Sequence, residues 1–237
     1  MSYNEHYEST GLTYELRHNA PEGLTANNDL EKYFMNDHNF SLSKWWHYFE
    51  IYDRHFAKYR NKNITVLEIG IWKGGSLQMW KEYFGPNAKI YGIDIEPWCK
   101  RFESENVEIF IGSQTDVNFL NSVIEKIGPV DIVIDDGGHV MDQQIISFEA
   151  LYPAIKDGGT YLCEDLHTSY WSSHGGALNS PNTFIEMSKS LIDKLNHWHC
   201  KDITRDHFCD HTYSMHYYDS VLAIEKRKMI HPFNLEK

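Results

Sequence analysis

Asp135, Asp136, Gly137, Gly138 and His139 place two carboxylates and an imidazole in five consecutive residues, and Glu164 with Asp165 supplies two more acids further on. Each group follows a short apolar run, residues 130–134 and 160–163, that reads as a β-strand. Acids gathered at neighbouring strand ends repel and raise one another's pKa unless a cation intervenes. Hard oxygen donors of this kind favour Mg²⁺, with Mn²⁺ or Ca²⁺ as alternatives, over zinc. His139 can reach back across the two glycines, as a ligand or as a base. An imidazole with a reference pKa near 6.5 can take a proton from a metal-bound hydroxyl, a task worth roughly 10²- to 10⁴-fold in rate. The competing structural reading lets one or two of the acids cap the helices that follow.

A second constellation precedes this one. After a strand at 64–69 comes a turn containing Glu68, Gly70, Lys73, Gly74, Gly75 and Ser76, whose glycines let backbone approach a ligand before the next helix. Asp94 follows the next strand, 24 residues beyond Gly70, where a carboxylate can accept both hydroxyls of a ribose. Ser113, Gln114 and Asp116 follow the third strand, where an adenine would lie. The glycine spacing is not that of a dinucleotide-binding turn, and a smaller nucleoside such as S-adenosylmethionine fits better. Past the second pair of acids, His167, Thr168, Tyr170 and Trp171 form a polar and aromatic loop placed to meet an acceptor.

The elements that must position these residues are legible as a rhythm. Val- and Ile-rich runs at 64–69, 89–93, 107–111, 130–134 and 160–163 alternate with helix-length segments at 76–84, 116–127, 143–155 and 181–198, the pattern of a parallel sheet with crossover helices. Runs at 211–217 and 221–226 are too close for a crossover and predict a closing antiparallel hairpin. The expected fold is therefore α/β and Rossmann-like, a mostly parallel seven-stranded sheet flanked by helices. Ahead of it, Trp45, Phe49, Tyr52, Phe56 and Tyr59 recur at helical spacing and predict an amphipathic helix that packs on the main domain or on a second subunit. Residues 1–28 read as an irregular arm. This divides the chain into an N-terminal arm and helix, 1–60, and a Rossmann-like domain, 61–237.

With 41% hydrophobic and 24% charged residues in 237, the chain can bury a core without staples. A net charge of −12 and no basic patch argue against nucleic acid as a partner. No apolar run approaches a membrane span and no signal core opens the sequence, so a cytoplasmic protein without membrane association is expected. The four scattered cysteines are expected as free thiols, and the His and Cys residues between 197 and 211 match no established zinc spacing.

Together these motifs resemble a known group, the metal-dependent, S-adenosylmethionine-dependent sugar O-methyltransferases of the mycinamicin and macrocin type, whose relatives are often labelled cephalosporin hydroxylase. The resemblance runs from about residue 64 to 226, and D-D-G-x-H and E-D are its specific motifs. It implies that Asp136, Glu164 and Asp165 bind Mg²⁺, that His139 is the general base, and that the acceptor is a hydroxyl of a sugar-containing small molecule or glycan. It also implies a homo-oligomer. Some members carry a whole extra domain where this chain has about 60 residues. The rival class is an oxidoreductase, either nucleotide-dependent or a non-haem iron hydroxylase; an iron site wants two histidines and a carboxylate, whereas this cluster offers one histidine and an excess of acids.

Overall fold

The computed structural model describes residues 21–36 and 39–237 and pairs the apolar runs into one seven-stranded sheet. Strands β1 (Thr65–Ile69), β2 (Lys89–Asp94), β3 (Val107–Ile111), β4 (Val130–Asp135) and β5 (Ile155–Cys163) are parallel. The hairpin of β6 (Thr212–Tyr218) and β7 (Val221–Lys226) joins through β7, which runs antiparallel to β5. The order is β3-β2-β1-β4-β5-β7-β6, so the winding reverses between β1 and β4. A crevice beyond their carboxyl ends is where an open α/β sheet binds ligands. Val66, Leu67 and Ile69 of β1 and Ile132, Val133 and Ile134 of β4 are all buried. Strands covered on both faces need such unbroken apolar runs.

Seven α-helices surround this sheet among the described residues: α1 (Asp29–Met35), α2 (Tyr48–Phe56), α3 (Gly75–Phe84), α4 (Val117–Ile127), α5 (Met141–Leu151), α6 (Phe184–Leu195) and α7 (His207–His211). The aromatic stripe of α2 is spent inside the chain. Phe49, Tyr52 and Phe56 are fully buried, and Tyr52 and Phe56 meet Trp80 of α3 edge-on at 5.1 and 5.8 Å. Its aromatic content thus gives no argument for a second subunit. The far end of the chain clamps this helix: His47 Nε2 lies 3.0 Å from the Asp219 carbonyl, and His55 Nε2 lies 2.9 Å from the Tyr218 hydroxyl.

Several boundaries differ from the sequence-based expectation. Strand β5 begins at Ile155 rather than 160, because an irregularity in its register with β4 absorbs Gly158 and Gly159. Helix α5 stops at Leu151, where Pro153 turns the chain into a short 3₁₀ segment. Helix α6 is shorter than 181–198, starting behind Thr183, whose side chain accepts the Glu186 N–H as a cap. Trp45 lies in the turn before α2, and α1 falls in a stretch for which the sequence suggested no element. Residues 1–20 of the expected arm lie outside the described residues. All four cysteines are free, and no helix among the described residues is long and apolar enough to cross a membrane.

Candidate active site

The loops after β1, β4 and β5 meet at the reversal point. Gly70 sits at φ +89°, so close to the β4 loop that a Cβ there would lie 2.0 Å from the Asp136 carbonyl oxygen. His139 and Asp165 are both non-glycine residues in the left-handed region, each at φ 56°. Such backbone carries a cost of order 1–3 kcal/mol and persists only where its surroundings enforce it. Thr168 does part of that enforcing, because its buried hydroxyl lies 2.9 Å from the carbonyl oxygens of both His139 and Asp165.

The acids divide by environment. Asp135 points inward, accepting from Tyr161 Oη at 3.0 Å and from Gln114 Nε2 at 3.2 Å, and burial raises its pKa to about 6. Asp136 and Asp165 face His139, whose Nε2 lies 3.8 Å from Asp136 Oδ1 and 3.4 Å from Asp165 Oδ2. Ligand atoms of these three residues lie within 4.8 Å of one another, one of two such groups among the described residues. Glu164 stands beside them but outside that group. It pairs instead with Lys44, whose Nζ lies 2.7 Å from Glu164 Oε2 and 2.5 Å from Asp136 Oδ2. Tyr48 donates to Asp165 Oδ1 at 2.7 Å.

Charge in so dry a place shifts the three acids and the lysine. Burial pushes Asp136 up, with Lys44 and His139 opposing it. Burial pushes Glu164 well above the carboxylate range, and Asp136 adds to the effect. Burial pulls the same way on Asp165, yet His139, His167 and the Tyr48 hydrogen bond outweigh it and hold that carboxyl low. Lys44 resists the deprotonating effect of burial because Asp136 and Glu164 hold its proton. Three polar atoms of this cluster, Tyr52 Oη, Glu164 Oε1 and His139 Nδ1, are buried without a hydrogen-bond partner among the described residues.

Several residues expected to touch a nucleoside spend hydrogen bonds on neighbouring protein. Glu68 is fully buried, its two oxygens taken by Ser76 Oγ at 2.9 Å and Trp80 Nε1 at 3.0 Å, and burial lifts its pKa to about 7. Asp94 accepts the Ile71 and Trp72 N–H groups on Oδ2 and the Glu96 N–H on Oδ1. Asp94 thus clips the glycine turn to the end of β2. Gln114 is buried, bracing Asp135 and, through Oε1, the Gly138 N–H at 2.9 Å. Asp116 caps α4 by accepting from the Asn118 and Phe119 N–H groups. Ser113 and Thr115 hydrogen-bond each other, Gly74 is the left-handed N-cap of α3, and Lys73 is exposed over the Trp72 ring at 4.6 Å.

In the loop after β5, Tyr170 is exposed, Trp171 is buried, and His167 stacks on Trp45 at 4.7 Å and meets Trp171 edge-on at 4.5 Å. Sequence reasoning missed Lys44, Tyr48 and Trp45 as site residues. The available signal was slight: Lys44 is a lone lysine within residues 41–47, four residues ahead of Tyr48. The described residues place no metal-ligand group within 197–211.

The Gly70 contact makes a direct prediction. Gly70→Ala adds a left-handed Cβ penalty of about 1–2 kcal/mol and a clash with the β4 loop. Gly128, at φ +78° with nothing within 4 Å of where a Cβ would stand, carries only the first of these. Denaturant unfolding is expected to show Gly70→Ala as more destabilised than Gly128→Ala; equal losses would mean that the loop contact is unimportant.

A family model for a methyltransferase domain matches residues 67–166. The chain is 41% identical over 191 residues to the demethylmacrocin O-methyltransferase of Streptomyces fradiae, covering 74% of this chain and 47% of that protein. It is 42% identical over 156 residues to the mycinamicin VI 2''-O-methyltransferase of Micromonospora griseorubida, covering 62% and 39% respectively. In structure it is similar to the MycE methyltransferase of the mycinamycin biosynthetic pathway in complex with Mg and SAH, with a TM-score of 0.76 and 35% identity over 85% of this chain and 55% of that one. The chain spans about half the length of the curated relatives it matches.

Proposed function

Because this chain is related across its Rossmann-like domain to the macrocin and mycinamicin sugar O-methyltransferases, we propose that it is an S-adenosylmethionine- and Mg²⁺-dependent O-methyltransferase acting on a hydroxyl of a sugar or sugar-containing small molecule. The observation that carries this reading is the convergence of Asp136, His139 and Asp165 on one point beside the β1–β4 crevice. The buried, unpartnered Glu164 Oε1 adds a further oxygen with a use still to be met, which suits a hard divalent cation.

In this reading Asp136, Asp165 and Glu164 hold the cation, while the Gly70–Ser76 turn and Asp94 hold the nucleoside. When bound, the cofactor supplies the methyl group and the cation lowers the cost of deprotonating the acceptor hydroxyl. His139 accepts the hydroxyl proton. The left-handed backbone at His139 and Asp165, tied through Thr168, fixes ring and carboxylate before the acceptor arrives, and such positioning supplies much of the rate. Tyr170 and His167 border the acceptor. A non-haem iron reading is poorly supported, since the converging group offers one histidine where that chemistry wants two. Homo-oligomeric assembly and a cytoplasmic location belong to the same proposal, with light scattering on the purified protein as the check on assembly.

Calorimetric titration with S-adenosylhomocysteine, with NAD as control and Mg²⁺ present or chelated, tests the proposal. Micromolar binding of the homocysteine product alone is the expected result. Preference for NAD, or no binding of either, would overturn it.

A further inference from the structure

Lys44 reaches the acidic cluster from the segment before α2 and takes two of the three acids that the metal reading assigns to the cation. Its side chain is only 3% exposed, and its Nζ bridges Asp136 Oδ2 and Glu164 Oε2 at 2.5 and 2.7 Å. The Tyr52 ring lies beneath the ammonium at 5.8 Å. We infer that Lys44 is a tethered cation that competes with the divalent ion for Asp136 and Glu164, so that metal entry requires the lysine to withdraw. This inference rests on the metal-dependent reading above.

Three observations favour competition over coexistence. Mg²⁺ demands oxygen ligands at about 2.0–2.1 Å in near-octahedral array, and an ammonium held this closely takes one oxygen from each of the two carboxylates and repels a second cation. Glu164 stands outside the group formed by Asp136, His139 and Asp165 with its Oε2 held by Lys44, so it can offer both oxygens to a cation only once the lysine lets go. Its other oxygen is buried without a partner among the described residues, which leaves the carboxylate incompletely satisfied while the lysine holds it. The segment that carries Lys44 also contacts the site on both sides. Trp45 stacks on His167 at 16° between planes and Tyr48 bonds Asp165, so withdrawal of the lysine is felt at the acceptor loop.

Competition and its opposite, a lysine that stays and helps to neutralise the cluster, predict changes of opposite sign. Lys44→Met keeps the length of the side chain and removes the charge. Titration of the full chain with Mn²⁺, followed by the loss of the free-ion paramagnetic signal, is expected to show the variant binding at least about tenfold more tightly than the native protein. Should the variant fold poorly, the native protein gives a second readout. Lysine acetylation followed by mass spectrometry is expected to leave Lys44 protected without added metal and to label it on saturation with Mn²⁺. Equal or weaker Mn²⁺ binding by the variant, or Lys44 protected in both conditions, would overturn the competition and leave the metal reading standing. Absence of Mn²⁺ binding by both proteins would remove the metal reading, and the competition with it.

Discussion

Replacing His139 with alanine is expected to lower methyl transfer by roughly 10²- to 10⁴-fold while S-adenosylhomocysteine binding stays within about twofold of the native value. The expectation follows from where the ring is held. Its backbone is left-handed, its carbonyl is tied to the Thr168 hydroxyl, its Nε2 faces Asp136 and Asp165, and its Nδ1 is buried without a partner among the described residues. Nothing in the nucleoside half of the crevice leans on the imidazole, so removing it should act on turnover rather than on cofactor affinity. A side chain that only filled space would give a different pattern, a modest fall in stability with activity per folded molecule unchanged. Activity per folded molecule therefore separates the two, and a native-like value in the variant would sink the assignment.

The second large effect is expected at Asp136. Asp136→Asn preserves size and removes the charge that both Lys44 and the proposed cation need. Metal stabilisation of a reacting oxygen is worth several kcal/mol, so activity should fall on the order of 10³-fold, with Mn²⁺ affinity falling alongside it. The neighbouring residue supplies the control. Asp135 is the same residue type one position earlier, yet it faces Tyr161 and Gln114 at the end of β4. Asp135→Asn should therefore act on folding stability and leave Mn²⁺ affinity near native. If both variants lost metal equally, the division of labour between the two acids would be wrong.

Much of this arrangement was readable from sequence, for a physical reason. A doubly covered parallel sheet demands continuous apolar strands, and chemistry gathers at their carboxyl ends, so strand ends and site residues announce each other. That is why the seven strands could be placed, and Asp135, Asp136, His139, Glu164 and Asp165 gathered into one cluster, from residue types and spacing, while the choice among the acids came from the family resemblance. Orientation was harder. Glu68, Gln114 and Asp116 stand at the expected strand ends, but a strand end has an inner and an outer face, and each of these side chains spends its hydrogen bonds on neighbouring protein. Lys44 was invisible because its partners lie 92 and 120 residues away, and no local pattern of charge anticipates so distant a pairing.

The seam between α2 and the β6–β7 hairpin has a consequence for biosynthesis. Leu166 N–H donates to the Ser220 carbonyl at 2.9 Å, and His47 reaches the Asp219 carbonyl, so the turn of the last hairpin braces both the acidic loop and the segment bearing Lys44. During translation the aromatic face of α2 leaves the ribosome long before this turn exists. Contacts of such long sequence separation form late, and exposed apolar surface in the interval invites aggregation. The acidic loop and the segment bearing Lys44 are therefore braced against each other only once the β6–β7 turn has been made and has docked.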